Sequence, residues 1–151
     1  ELDAVYVPIG LGSSICGMIS VRNALGLKTK IVGVVAEDAP AYAISFRKKK
    51  AVSAAANTRL ADGLSCRVPV PEALDVIFAN VDHMVEVNEE EIAAAMRAYY
   101  EDTHNVAEGA AAAGLAAVLK ESDALRGGRV GVVFTGGNVD REVFLEALKT
   151  A

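Results

Sequence analysis

Short, continuous apolar runs alternate with helix-period segments along this chain. Four runs have strand length: AVYVPIG at 4–10, KIVGVVAE at 30–37, HMVEV at 83–87 and RVGVVFTGG at 129–137. They are rich in Val and Ile and lack a regular polar alternation, so they read as strands buried on both faces, as in a parallel sheet between helical layers. Between the first two, GMISVRNALGL places Met18, Ile19, Val21, Ala24 and Leu25 on one side of a helix, with Gly26 as its C-terminal stop. In NEEEIAAAMRAYY at 88–100, Asn88 takes the N-cap, Glu91 the capping-box position, and acids fill the first turn, where the helix dipole favours them. VAEGAAAAGLAAVLKE at 106–121 predicts a helix whose Ala, Gly109 and Gly114 let another backbone or a ligand come close, so it is expected to be buried. Residues 51–80 have poor periodicity, Pro69 and Pro71, and an ADG turn at 61–63; they predict an irregular connection with a short helix near 71–79. The expected fold is α/β: a three-layer, open, mostly parallel sheet with helices on both faces, as a single domain over 1–151.

Composition narrows the classes of function. The 151 residues suffice for one core, and 52% hydrophobic against 23% charged residues describe an ordered globular chain. A net charge of -5 without a basic face leaves no footprint for nucleic acid or an anionic membrane. The RKKK run at 47–50 reads as a solvated helix end. Cys16 and Cys66 lack metal-ligand spacing, and no signal peptide or long apolar span accompanies them, so a reduced, cytoplasmic protein is expected. His83 and His104 have no second ligand at metal spacing and read as structural. Glu1 leads almost at once into a buried strand, which suggests a chain that begins mid-protein.

The stretch VPIGLGSSICG at 7–17 is where chemistry enters. A strand, a glycine turn and a helix converge backbone N–H groups and the positive end of a helix dipole on one point, which suits a phosphate. Gly10 and Gly12 allow close approach, and Ser13 and Ser14 add hydroxyls. The same pattern also serves as a tight turn that packs helix on strand. A nicotinamide dinucleotide is one candidate, with Glu37 as the ribose-binding acid, but Gly10-x-Gly12-x-x-x-x-Gly17 is not the dinucleotide spacing. A second strand-to-glycine turn, VVFTGGNVD at 132–140, shifts the balance, because two such turns at the C-terminal ends of parallel strands can face one crevice.

The chain then resembles the C-terminal half of the threonine/serine dehydratase family, pyridoxal-phosphate enzymes of fold type II that also include serine racemase. The resemblance rests on five motifs in order: VPIGLGSSICG, ADGL at 61–64, VNEEEIAAAM at 87–96, EGAAAAGLAA at 108–117 and TGGNVD at 135–140. It implies the large domain of the tryptophan-synthase-β-like fold and pyridoxal 5′-phosphate as cofactor. The N–H groups around Gly10, Leu11, Gly12, Ser13 and Ser14 would hold its phosphate. Thr135 would stand beside the pyridine nitrogen, where the family has Ser or Cys, and a neutral hydroxyl there suits β-elimination. Glu108 matches a family Glu on the active-site floor; an exposed acid in a first helical turn is an equal alternative. The implied activity converts a small hydroxy amino acid into a 2-oxo acid and ammonia, in a homodimeric enzyme.

Two departures matter. Leu11 and Ser13 replace family glycines, which is compatible with backbone binding only if neither needs a positive φ. Val35 stands where several relatives carry a metal-binding Glu, so no structural cation is expected. The family's Schiff-base lysine and its carboxylate-gripping SSGNHA loop are absent as well. SFRKKKAV at 45–52 imitates the lysine motif but follows the phosphate loop instead of preceding it. The isolated chain is therefore expected to have no lyase activity. The alternatives are a nicotinamide-binding oxidoreductase domain and a non-catalytic binding domain.

Overall fold

The computed structural model describes residues 1–149. Four parallel strands, β1 (Ala4–Pro8), β2 (Lys30–Ala36), β3 (His83–Val87) and β4 (Val130–Val132), lie in the order β3-β2-β1-β4. Three helices sit on one face: α1 (Ser13–Ala24), α2 (Ala41–Lys48) and α3 (Pro71–Asn80). Three cover the other: α4 (Glu89–Thr103), α5 (Gly109–Lys120) and α6 (Arg141–Lys149). This is the expected three-layer α/β arrangement.

The pleat of β1 shows why its sequence is continuously apolar. Val5 and Val7 pack with Ile15, Ile19 and Ile77 on the α1/α3 face, while Ala4 and Tyr6 pack with Ile92, Met96 and Ala113 on the α4/α5 face. Both faces are dry, so both sets of alternate positions must be apolar.

Topology places the crevice. From β1 the chain steps to β2 and then β3 in one direction, then returns past β1 to add β4 on its other side. Crossovers of one hand put helices on opposite faces when the direction of travel reverses. The strand order therefore switches between β1 and β4, and the turns that leave these two strands diverge around an open cleft.

Local signals account for most boundaries. Asn88 Oδ1 accepts from Glu91 N at 2.9 Å and Glu91 Oε2 accepts from Asn88 N at 2.8 Å, which is the reciprocal capping box expected. Helix α1 stops as foreseen, with Gly26 at φ +63°. Its buried face differs: Ile15 and Ile19 carry it, whereas Val21 is 57% and Leu25 66% exposed. The fourth apolar run forms a ladder only over three residues, because its second half curves away as the turn of the cleft. The small-residue helix α5 is buried from Gly109 through Gly114, as its composition predicts.

A polar network closes the opposite end of the sheet. Tyr6 Oη donates to Glu121 at 2.6 Å, and His83 lies between Asp82 (2.9 Å) and Glu121 (3.0 Å). Burial alone would lower the imidazole pKa, but the two carboxylates that hydrogen-bond it outweigh this and hold it above its ordinary value. A raised folded pKa gives stability that is fully present below the unfolded value, ~6.5, and lost as pH rises through the folded one. The thermal stability of the wild type is thus expected to fall from roughly pH 6.5 upward. His83→Gln should lack that slope; an identical slope in the variant would sink the assignment.

Candidate functional site

The turn after β1 enters α1 directly, with Gly12 as N-cap at φ +99°. A Cβ on Gly12 would lie 2.7 Å from Ala73 Cβ and 3.2 Å from Tyr42 Oη, so both conformation and space demand glycine. Leu11 and Ser13 are not among the residues with positive φ, so the two replaced glycines leave the turn unstrained.

The donors of this turn are left open. Among the described residues, the backbone N–H groups of residues 10–14 have no protein acceptor. Helix α1 has no side-chain cap and no acid in its first turn, in contrast to α4, which has Glu89, Glu90 and Glu91 there. An uncapped, unopposed helix start carries partial positive charge and several orphan donors, the donor set that a phosphate satisfies.

Three further segments complete the cavity, which measures about 290 Å³ and is lined by residues 10–14 together with Gly63, Leu64, Glu108, Ala110 and Thr135. The residues that the family resemblance assigns to this site, residues 10–14 with Glu108 and Thr135, thus line one cleft. The short 3-10 turn Asp62–Leu64 touches the first loop so closely that a Cβ on Gly10 would fall 2.6 Å from Gly63 O. Glu89 secures the approach to that turn: its carboxylate accepts from Thr58 Oγ1 at 2.6 Å and from the N–H groups of Arg59 and Leu60, both at 3.0 Å.

Glu108 is the N-cap of α5, and its carboxylate accepts from Asn138 N at 3.2 Å, while its own N–H donates to Gly136 O at 3.2 Å. It braces the second glycine turn, which carries Thr135. The exposed-acid alternative does not describe it.

Some candidates fall elsewhere. Lys49 Nζ lies 3.8 Å from the Phe46 ring centroid and donates to Phe78 O, so the basic run caps α2 and contributes no lysine to the cavity. Glu37 and Asp38 are exposed beyond β2, and Val35 is buried. A larger cavity of about 520 Å³ opens at the other end of the strands, beside Asp3 and Arg129, and none of the residues singled out for the phosphate site lines it. Tyr42, buried under the first loop, was not visible in the pattern: a lone aromatic two residues after Pro40 carries no local signal of what lies above it.

A family model described as pyridoxal-phosphate dependent enzyme matches residues 1–136. The chain is 37% identical over 140 residues to an L-threonine ammonia-lyase of Thermotoga maritima, covering 93% of this chain and 35% of that protein. It is 34% identical over 140 residues to a beta-hydroxyaspartate dehydratase of Paracoccus denitrificans, covering 92% of this chain and 44% of the relative. The solved structure of maize serine racemase superposes with a TM-score of 0.87 at 27% identity, over 98% of this chain and 46% of that one. The chain thus spans less than half the length of these relatives.

Proposed function

We propose that this chain, which belongs to the pyridoxal-phosphate-dependent enzyme family, is the cofactor-phosphate-holding part of a hydroxy-amino-acid dehydratase. The observation that carries this reading is the convergence of the open N–H groups of residues 10–14, Glu108 and Thr135 on one cleft at the strand-order switch. When bound, pyridoxal phosphate supplies the electron sink for removal of the substrate Cα proton and loss of the β-hydroxyl.

The chain's own residues bind and orient. N–H groups of Gly10, Leu11, Gly12, Ser13 and Ser14 hold the phosphate, with the serine hydroxyls as additional donors. Thr135 offers the pyridine nitrogen a neutral hydroxyl, which does not force a protonated ring, and this favours elimination over chemistry that needs a stronger sink. Glu108 fixes the turn that presents Thr135. The cavity contains no lysine. The proton-abstracting amine and the grip on the substrate carboxylate must therefore come from sequence outside this chain.

The substrate is a small hydroxy amino acid, giving a 2-oxo acid and ammonia, with no structural cation required. A homodimeric parent follows from the family resemblance. The two free thiols, Cys16 and Cys66, suit a reducing, cytoplasmic setting, and no helix among the described residues is long and apolar enough to cross a membrane.

The test joins this chain to its natural flanking sequence and assays 2-oxo acid release from L-threonine, L-serine and 3-hydroxyaspartate. The longer polypeptide is expected to bind pyridoxal phosphate and turn over at least one of these, and the 151-residue chain alone none. Release by the isolated chain, or binding of NAD in place of pyridoxal phosphate, would overturn the reading.

A further inference from the structure

The Tyr42 side chain lies in the first turn of α2, 1% exposed, directly beneath the first glycine turn. Its hydroxyl donates to Leu11 O at 2.7 Å and accepts from Val70 N at 3.1 Å. Burial raises the phenol's pKa, which keeps it neutral and able to play both parts.

One peptide plane connects this contact to the cavity. The bond between Leu11 and Gly12 is trans, since the described residues contain no cis peptide. In a planar trans peptide the C=O and the next N–H point in opposite directions. Because Tyr42 holds the Leu11 carbonyl down into the core, the Gly12 N–H is turned outward, on the side of the cavity that Leu11, Gly12 and Ser13 line. Gly12 at φ +99° lies close over the same hydroxyl: a Cβ built on it would fall 3.2 Å from Tyr42 Oη and 2.7 Å from Ala73 Cβ.

We propose that Tyr42 is a positioning residue for anion binding: its hydroxyl, through the Leu11 carbonyl, sets the direction of the Gly12 N–H that meets the phosphate. This rests on the reading of residues 10–14 as a phosphate site. Without the hydroxyl, the Leu11 carbonyl and the Val70 N–H lose their shared partner inside the core, and the peptide plane is free to reorient.

Inorganic phosphate is the probe, titrated into the 151-residue chain with amide NMR shifts of residues 10–14 as the readout. Tyr42→Phe is expected to bind phosphate about tenfold more weakly and to lose most of the Gly12 amide shift. Tyr6→Phe is the control: it also deletes a hydrogen-bonded hydroxyl from the core, but at Glu121, and should leave phosphate affinity unchanged. In unmutated protein labelled with 3-fluorotyrosine, the fluorine signal of Tyr42 should move on phosphate saturation and that of Tyr6 should not. Equal affinity in Tyr42→Phe, equal weakening in Tyr6→Phe, or a silent Tyr42 fluorine would each overturn the assignment while the phosphate site stands. A wild-type chain whose residues 10–14 ignore phosphate would instead overturn the site itself.

Discussion

Gly109→Ala is expected to lower the stability of this chain by about 3–5 kcal/mol, at the upper end for overpacking a core. In a domain of this size that is a fall in Tm of roughly 10 °C. An added Cβ would sit 2.0 Å from Leu60 O and 2.4 Å from Leu60 C, which are backbone atoms and cannot rotate away. Nor can the segment retreat, because Glu89 accepts from the N–H groups of both Arg59 and Leu60 and from Thr58 Oγ1. Either α5 withdraws from the cleft or these three hydrogen bonds break. Gly114→Ala is the matched control five residues along the same helix. Its Cβ would meet Tyr6 O at 3.5 Å, an ordinary contact, and removal of a helical glycine stabilises by up to about 1 kcal/mol. Calorimetric melting of both variants decides it, and a Gly109→Ala melt within a few degrees of wild type would show that α5 and Leu60 are less closely engaged than the contact implies.

Gly12→Ala is expected to abolish phosphate binding and to cost about 2–4 kcal/mol of stability. Two independent penalties coincide there. The backbone at φ +99° is strained for any residue with a side chain, and the new methyl would lie 2.7 Å from Ala73 Cβ. Relief requires rotation of the peptide planes whose N–H groups form the site, so binding is lost together with stability. Gly17→Ala separates this from a general intolerance of side chains: its Cβ would meet nothing within 4 Å, and it sits inside α1. Phosphate titration followed by amide NMR should find no saturable shift in Gly12→Ala and wild-type affinity in Gly17→Ala. Retained affinity in the first variant would mean that the left-handed turn is dispensable.

The contrast between these glycines marks how much was legible beforehand. Gly10, Gly12 and Gly17 look alike as members of one motif, yet only the first two touch anything that constrains them. What period and composition determine is the layer plan. Apolar runs without alternation require two covered faces, the Asn88–Glu91 spacing starts α4, and the alanines of α5 allow it close to β1. Local pattern marked residues 10–14 as a strand-to-helix glycine turn, whereas Glu108 and Thr135 became candidates for the same site only through the family resemblance that the ordered motifs carry.

Tertiary structure decided what depends on contacts between segments far apart in the chain. Tyr42 meets Leu11 and Val70 across 31 and 28 residues, and Glu89 reaches the 58–60 segment across about 30. Local propensity contains no trace of such pairings. The exposure of Val21 and Leu25 is of the same kind: the helical period places them on a face, but only the positions of β1, β2 and α3 determine that Ile15 and Ile19 are the residues covered. The sequence by itself determined the alternation of strands and helices and the turns able to hold an anion, because those follow from period and backbone freedom. The reversal of strand order between β1 and β4, which brings two of those turns to one cleft, is a property of the assembled sheet.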